Sequence, residues 1–186
     1  VLHRFRNVTG STRKDARTLD TGMLGWKEFR FEVSMAYPPL IPYLVVSDAA
    51  AAIDFYKSAF DAIELTRHTA GPMQQISHAH LLINGGSIML SDDFSGMMGG
   101  KSMIPEALGG SPITLHLVLE DVDAFWERAV AAGAQVKMEL ADQFWGDRYG
   151  QLVDPFGHIW SLGQTKAQLS DEQIKIASDA YFEGRL

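Results

Sequence analysis

The sequence predicts an α+β fold: two tandem βαβββ modules forming an open, cleft-enclosing mixed β-sheet with helices on the outer face. Three observations carry this reading. Asp48 and Asp121, each a favoured N-cap ahead of an apolar pattern with helical spacing, stand 73 residues apart. Gly85 and Gly157, each in a turn between strand-like runs, stand 72 apart, so the same order of elements occurs twice at a nearly constant offset. Asn84-Gly85-Gly86 lies between two alternating runs, the strongest short-range hairpin signal available.

In chain order, residues 41–47 read as a short apolar strand ending at Asp48. Ala49, Ala52, Ile53, Tyr56 and Phe60 then mark one face of an amphipathic helix. Strands are expected at 63–69, 75–83 and 87–91. The second copy starts with a strand at 113–119. A helix follows, with Val122, Phe125, Trp126, Ala129 and Val130 on its buried face and Gly133 where it should end. Strands at 134–140, 149–153 and 159–162 complete it, with Asp154-Pro155-Phe156-Gly157 as a turn. Beyond them, Ser170 and Gln173 form a capping box for a helix ending near Phe182.

These elements divide the chain into a first module over 38–92, a second over 113–164 and a helical tail over 165–186. Residues 93–112, rich in glycine and carrying Met97, Met98 and Met103, are expected to lack structure of their own, as a mobile linker or a ligand lid. Residues 1–37 form an N-terminal extension of different character. They hold Arg4, Arg6, Arg13, Lys14, Arg17, Lys27 and Arg30 without sustained apolar periodicity before Trp26, and are set aside from the fold.

Hydrophobic residues make up 46% of the chain, enough for a packed core. The formal charge of −7 argues against nucleic acid and anionic membranes as partners. With no cysteine there is no disulfide scaffold, thiolate metal site or cysteine nucleophile. No apolar run approaches the roughly 18 residues of a membrane span. The expectation is a soluble, cytoplasmic protein.

A helix covers one face of each four-stranded half, and strand alternation assigns the other. Leu44 and Val46 point to the first helix, so Ile41, Tyr43 and Val45 point away. Leu115, Leu117 and Leu119 point inward, leaving Thr114, His116 and Val118 opposite. The same rule places His78, His80, Met89, Ser91, Ile159 and Ser161 on the helix-free face. Two such faces set side by side would enclose a mostly apolar cleft with a few polar groups, the usual make-up of a small-molecule site.

Tyr43-Leu-Val-Val-Ser-Asp-Ala, with Phe55-Tyr56 on the following helix, resembles the opening of glyoxalase/bleomycin-resistance/dioxygenase proteins, the vicinal oxygen chelate superfamily. Phe144-Trp-Gly-Asp-Arg-Tyr-Gly, Asp154-Pro-Phe-Gly-His-Ile-Trp, His78-Ala79 and Leu90-Ser91-Asp92 are similar to its PhnB-like subgroup. The resemblance spans about residues 38–164. It implies metal ligands on the first and last strands of each half, at positions held here by Ile41, Met89, Thr114 and Ser161. A divalent ion needs imidazole or carboxylate there, so no cofactor is expected at the usual place, with a displaced divalent metal left open. The resemblance also implies a homodimer.

The candidate ligand-binding residues are Tyr43, His78, Met89, Ser91, Thr114, His116, Trp145, Arg148 and Ser161. His116, a histidine able to act as base or hydrogen-bond partner near neutrality, is the catalytic candidate. His78 and His80 share a strand at a spacing common in metal sites, or simply bond to neighbours. Arg148 suits an anionic group, or braces the hairpin as an ion pair. Trp145 and Tyr43 could contact a ligand or serve as walls, while His158, Trp126 and Trp160 read as structural. The leading function is binding of a small apolar or aromatic molecule in the inter-module cleft without the usual metal. The alternative is a lyase or isomerase, metal-free through His116 or using displaced ligands His78, His80 and His116. A third is an interaction module without a ligand.

Overall fold

The computed structural model describes residues 37–184, which fall in a single compact unit. The expectations for the basic segment before Tyr37 lie outside the described residues. The chain forms β1 (Tyr43–Val46), α1 (Ala49–Phe60), β2 (Ile63–Ala70), β3 (Gln75–Ile83) and β4 (Gly86–Asp92). Two short helices follow, α2 (Ser95–Met98) and α3 (Pro105–Leu108). Then come β5 (Thr114–Val118), α4 (Val122–Ala131), β6 (Gln135–Asp142), β7 (Asp147–Val153), β8 (Ile159–Thr165) and α5 (Asp171–Glu183).

The strands make two four-stranded mixed sheets of identical topology, β1-β4-β3-β2 and β5-β8-β7-β6, each with one parallel pair. This is the doubled α+β architecture the repeat predicts, and neither sheet closes into a barrel. The helix starts are fixed as the sequence suggests: Asp48 accepts a hydrogen bond from the Ala51 amide and Asp121 one from the Ala124 amide. Asp92 adds an anchor, its carboxylate accepting the Ala49 amide at the start of α1 (2.7 Å) and the Ile76 amide of β3 (2.6 Å). Gly133 follows α4 with φ +111°, and α5 carries the complete Ser170–Gln173 capping box.

Four details differ from expectation. The linker is not structureless, because Pro105 and the left-handed Gly99 and Gly109 start or stop short helical turns within it. Val130 is exposed, the buried stripe of α4 being Val122, Phe125 and Ala129. Trp126 is only partly buried and packs against the core from its margin.

The fourth concerns the helices. They do not simply cover separate sheets: α1 packs on α4, Phe60 stacking on Phe125 at 5.4 Å, and reaches the second sheet, where Phe60 and Tyr56 lie 4.7 and 5.6 Å from Trp160. The helix-bearing sides of both modules therefore share one core. Two reciprocal contacts join the halves at their strand edges: Asn84 Nδ2 donates to the Val118 carbonyl (2.7 Å), and His158 Nε2 to the Val45 carbonyl (3.2 Å).

Candidate functional site

The two helix-free faces each present a row of side chains set by the strand register. In the first sheet Tyr43, Met89, His80 and Thr66 are successive cross-strand partners. In the second the corresponding row is His116, Ser161, Gln151 and Met138. The repeat thus sets Tyr43 beside Met89 in one module where it sets His116 beside Ser161 in the other.

The second row is the floor of an open cup of about 520 Å³, lined by Thr114, His116, Met138, Trp145, Asp147, Tyr149, Gln151 and Ser161. Trp145 and Tyr149 give it an aromatic wall, and its floor sets the polar His116, Ser161 and Gln151 beside Met138. Ser161 is 2% exposed, and its hydroxyl lies 2.8 Å from His116 Nδ1. The His116 ring lies nearly parallel to that of Tyr149, 6.0 Å away, and Gln151 Nε2 donates to the Tyr149 hydroxyl (2.8 Å). The Trp145 indole meets Tyr149 edge-on and donates to the Asp147 carboxylate (3.1 Å).

On the first sheet Tyr43 stands 6.0 Å from His78, which stacks on His68 at 5.9 Å. His80, 7% exposed, bonds to the Ser87 hydroxyl (3.0 Å) and lies under the Tyr37 ring. Burial, then the charge of His78, holds the His80 imidazole below its ordinary value. Ser91 is buried on the same strand as Met89, and the Thr66 hydroxyl is buried without a hydrogen-bond partner.

The expected site residues therefore fall into two groups. Thr114, His116, Trp145 and Ser161 meet in the cup; Tyr43, His78, Met89 and Ser91 lie on the first sheet and contribute nothing to its lining. Arg148 joins neither. Its side chain alternates away from Tyr149 and grips Asp123 of α4 through Nε and Nη2 (2.9 and 2.7 Å) and Asp142 through Nη1 (3.3 Å). The guanidinium holds the Asp123 carboxyl below its usual range, so Arg148 serves the hairpin-bracing role. Tyr149, Gln151 and Met138 were not among the expected residues. The period-two rule applied to β7 from Arg148 would have found Tyr149 and Gln151 on the opposite face.

The positions where a metal would be expected do not fit one. Isoleucine at 41 offers no donor, Met89 is soft, and the Ser161 hydroxyl is already bonded to His116. Among the described residues no group of three or more His, Asp or Glu side chains is placed to hold an ion.

A family model for the glyoxalase/bleomycin resistance protein/dioxygenase superfamily matches residues 39–162. The chain belongs to that superfamily. Among its relatives, a protein of Mycobacterium bovis is 54% identical over 147 residues, 79% of this chain and 96% of that one. TioX from Micromonospora sp. ML1 has a TM-score of 0.53 at 28% identity, covering 68% of this chain and 97% of TioX. The PhnB protein from Bacillus cereus has the same TM-score at 20% identity, covering 68% and 99%. The superfamily fold thus accounts for both modules, and the cup occupies the helix-free face of the second.

Proposed function

We propose that this superfamily member binds a small apolar or aromatic molecule in the cup of its second sheet, without the divalent metal of metal-dependent members. A second copy of the chain covers the cup with its own first sheet, giving a two-fold homodimer in which Tyr43, His78 and Met89 face the ligand from the partner side. One observation carries the reading: the cup joins an aromatic wall, Trp145 and Tyr149, to hydrogen-bonding side chains, His116, Ser161 and Gln151, the make-up of an organic-ligand site. The motifs it shares with PhnB-like proteins support its assignment to that subgroup, and the same reading takes it as a cytoplasmic protein that binds neither nucleic acid nor membrane.

The test compares melting temperatures with chelator, with nickel, zinc, manganese or iron, and with a panel of aromatic compounds. A ligand at 100 times its Kd adds about 2.7 kcal/mol, readily visible for a domain of this size. The expected result is a shift with aromatic compounds and none with metal. A metal-selective shift, lost in His116→Ala, would replace this reading with a metal enzyme using displaced histidines. A metal-free lyase or isomerase is the second reading, favoured by His116, whose Nδ1 is bonded to Ser161 while Nε2 stays available as a base.

A further inference from the structure

Gly163 sits in the middle of β8, where glycine weakens a strand and commonly marks a close approach. Its cross-strand partners are Val118 on one side and Tyr149 on the other. A Cβ at this position would lie 2.9 Å from His116 Cε1 and 3.3 Å from its Nε2, and 3.8 Å from the Tyr149 ring. Any other residue would push the imidazole off the sheet. Two residues apart on one strand, Ser161 and Gly163 therefore fix the ring from two directions. The Ser161 hydroxyl holds Nδ1, and the bare Gly163 backbone lets the ring lie down beside Tyr149. The Nε2 edge is left at the floor of an aromatic-walled cup, free of any protein hydrogen bond among the described residues.

A flat, anchored imidazole beside Tyr149 and Trp145 is suited to an aromatic ring that carries an oxygen function in its own plane. We infer that His116 reads a hydroxyl or carbonyl oxygen on a planar aromatic ligand through Nε2, and that Gly163 and Ser161 are its positioning residues. This rests on the ligand-binding reading above and names the class of ligand. Neutral imidazole donates or accepts at Nε2 according to tautomer, so one anchor serves both oxygen types. The selectivity comes from the polar group a bare hydrocarbon leaves unpaired.

The experiment uses the full chain and two probes, 1-naphthol and naphthalene, titrated by tryptophan fluorescence quenching. Trp145→Phe is included to assign the quenching to the cup, and ¹⁵N spectra of the histidine side chains accompany the titrations. The wild type is expected to prefer 1-naphthol. His116→Phe, which keeps a flat ring and removes the nitrogens, lowers that preference roughly threefold to tenfold, the size of one net hydrogen bond. Gly163→Ala lowers it by a similar factor and moves the His116 ring signals. Ser161→Ala shifts the Nδ1 signal of His116 and lowers the preference for 1-naphthol while leaving naphthalene binding unchanged, a split that a merely structural role for Ser161 or Gly163 would not produce. If both probes bind but the preference is unchanged in His116→Phe and Gly163→Ala, the oxygen-reading role is wrong and the aromatic cup stands. If neither probe binds the wild type, both fall.

Discussion

Asp154 shows how a residue acquires a role that its neighbours in sequence do not reveal. In the sequence it opens a proline-glycine turn, and its Oδ1 does accept the Phe156 and His158 amides (both 2.9 Å). Its Oδ2, however, accepts the Tyr56 hydroxyl at 2.7 Å and the Trp160 indole at 2.9 Å, which ties α1 of the first module to β8 of the second. A carboxylate only 3% exposed is tolerable because four donors replace its water. Helical spacing identifies Tyr56 as a core residue, but no local pattern says that its hydroxyl meets an acid far along the chain. Burial, then the Asp154 charge, then the hydrogen bond to it push the Tyr56 phenol well above its ordinary value. Keeping this group protonated contributes stability that is complete below about pH 10, where an unfolded phenol titrates, and is lost as the pH climbs through the higher folded value. Tyr56→Phe is expected to cost about 1 kcal/mol at neutral pH, the net worth of one hydrogen bond, and to remove that alkaline component. Urea unfolding from pH 8 to 11 checks both, and parallel stability curves for the two proteins above pH 10 would refute the linkage.

At the scale of elements, alternation and turn chemistry were enough to place every strand of both modules within a few residues, because each half buries one face and the pleat reports which. The bounds of β3 and the Asn84-Gly85 hairpin emerge directly from that pattern. What the pattern does not report is a glycine used for space. β7 contains Gly150 on the face opposite the cup, and a Cβ there would sit 2.6 Å from Trp126 Cζ3 and 2.9 Å from the Leu140 Cα. The Trp126 ring lies across this gap, which explains how a large residue on α4 approaches a sheet it only partly covers. Backbone at Leu140 cannot yield as a flexible side chain would. Gly150→Ala is therefore expected to destabilise the protein by about 1–3 kcal/mol, the usual cost of overpacking. The His116 ring signals and the preference for 1-naphthol over naphthalene should stay as in the wild type, since Gly150 faces away from both. Urea denaturation together with the probe titrations separates the two glycines. A Gly150→Ala protein as stable as wild type would mean that Trp126 has another place to go.

For the whole molecule, the repeat made the presence of two helix-free faces legible but not their relation. Periodicity fixes which residues share a face, and says nothing about whether the modules meet through their helices or across a cleft. The packing of Phe60 on Phe125 and of Tyr56 near Trp160 spends the helix-bearing sides on the shared core. Tyr43, Ile113, Val118 and Met138 stay exposed on β1, β6 and the β5 segment. A two-fold pairing of identical chains covers such surface on both copies at once, because each contributes the same patches to a closed interface. Sedimentation at micromolar concentration is expected to give twice the chain mass. The decisive measurement is the coupling of assembly to ligand: a molecule held between the cup of one copy and the first sheet of the other binds the dimer more tightly than the monomer. Saturating 1-naphthol must then lower the dimer dissociation constant by the square of the factor by which dimerisation raises the affinity of each cup, because the dimer holds two cups. A dimer whose dissociation is indifferent to 1-naphthol would confine the ligand to the cup of a single chain. A monomer at every concentration would leave the first sheet, with its His78 and buried Thr66 hydroxyl, outside the site altogether.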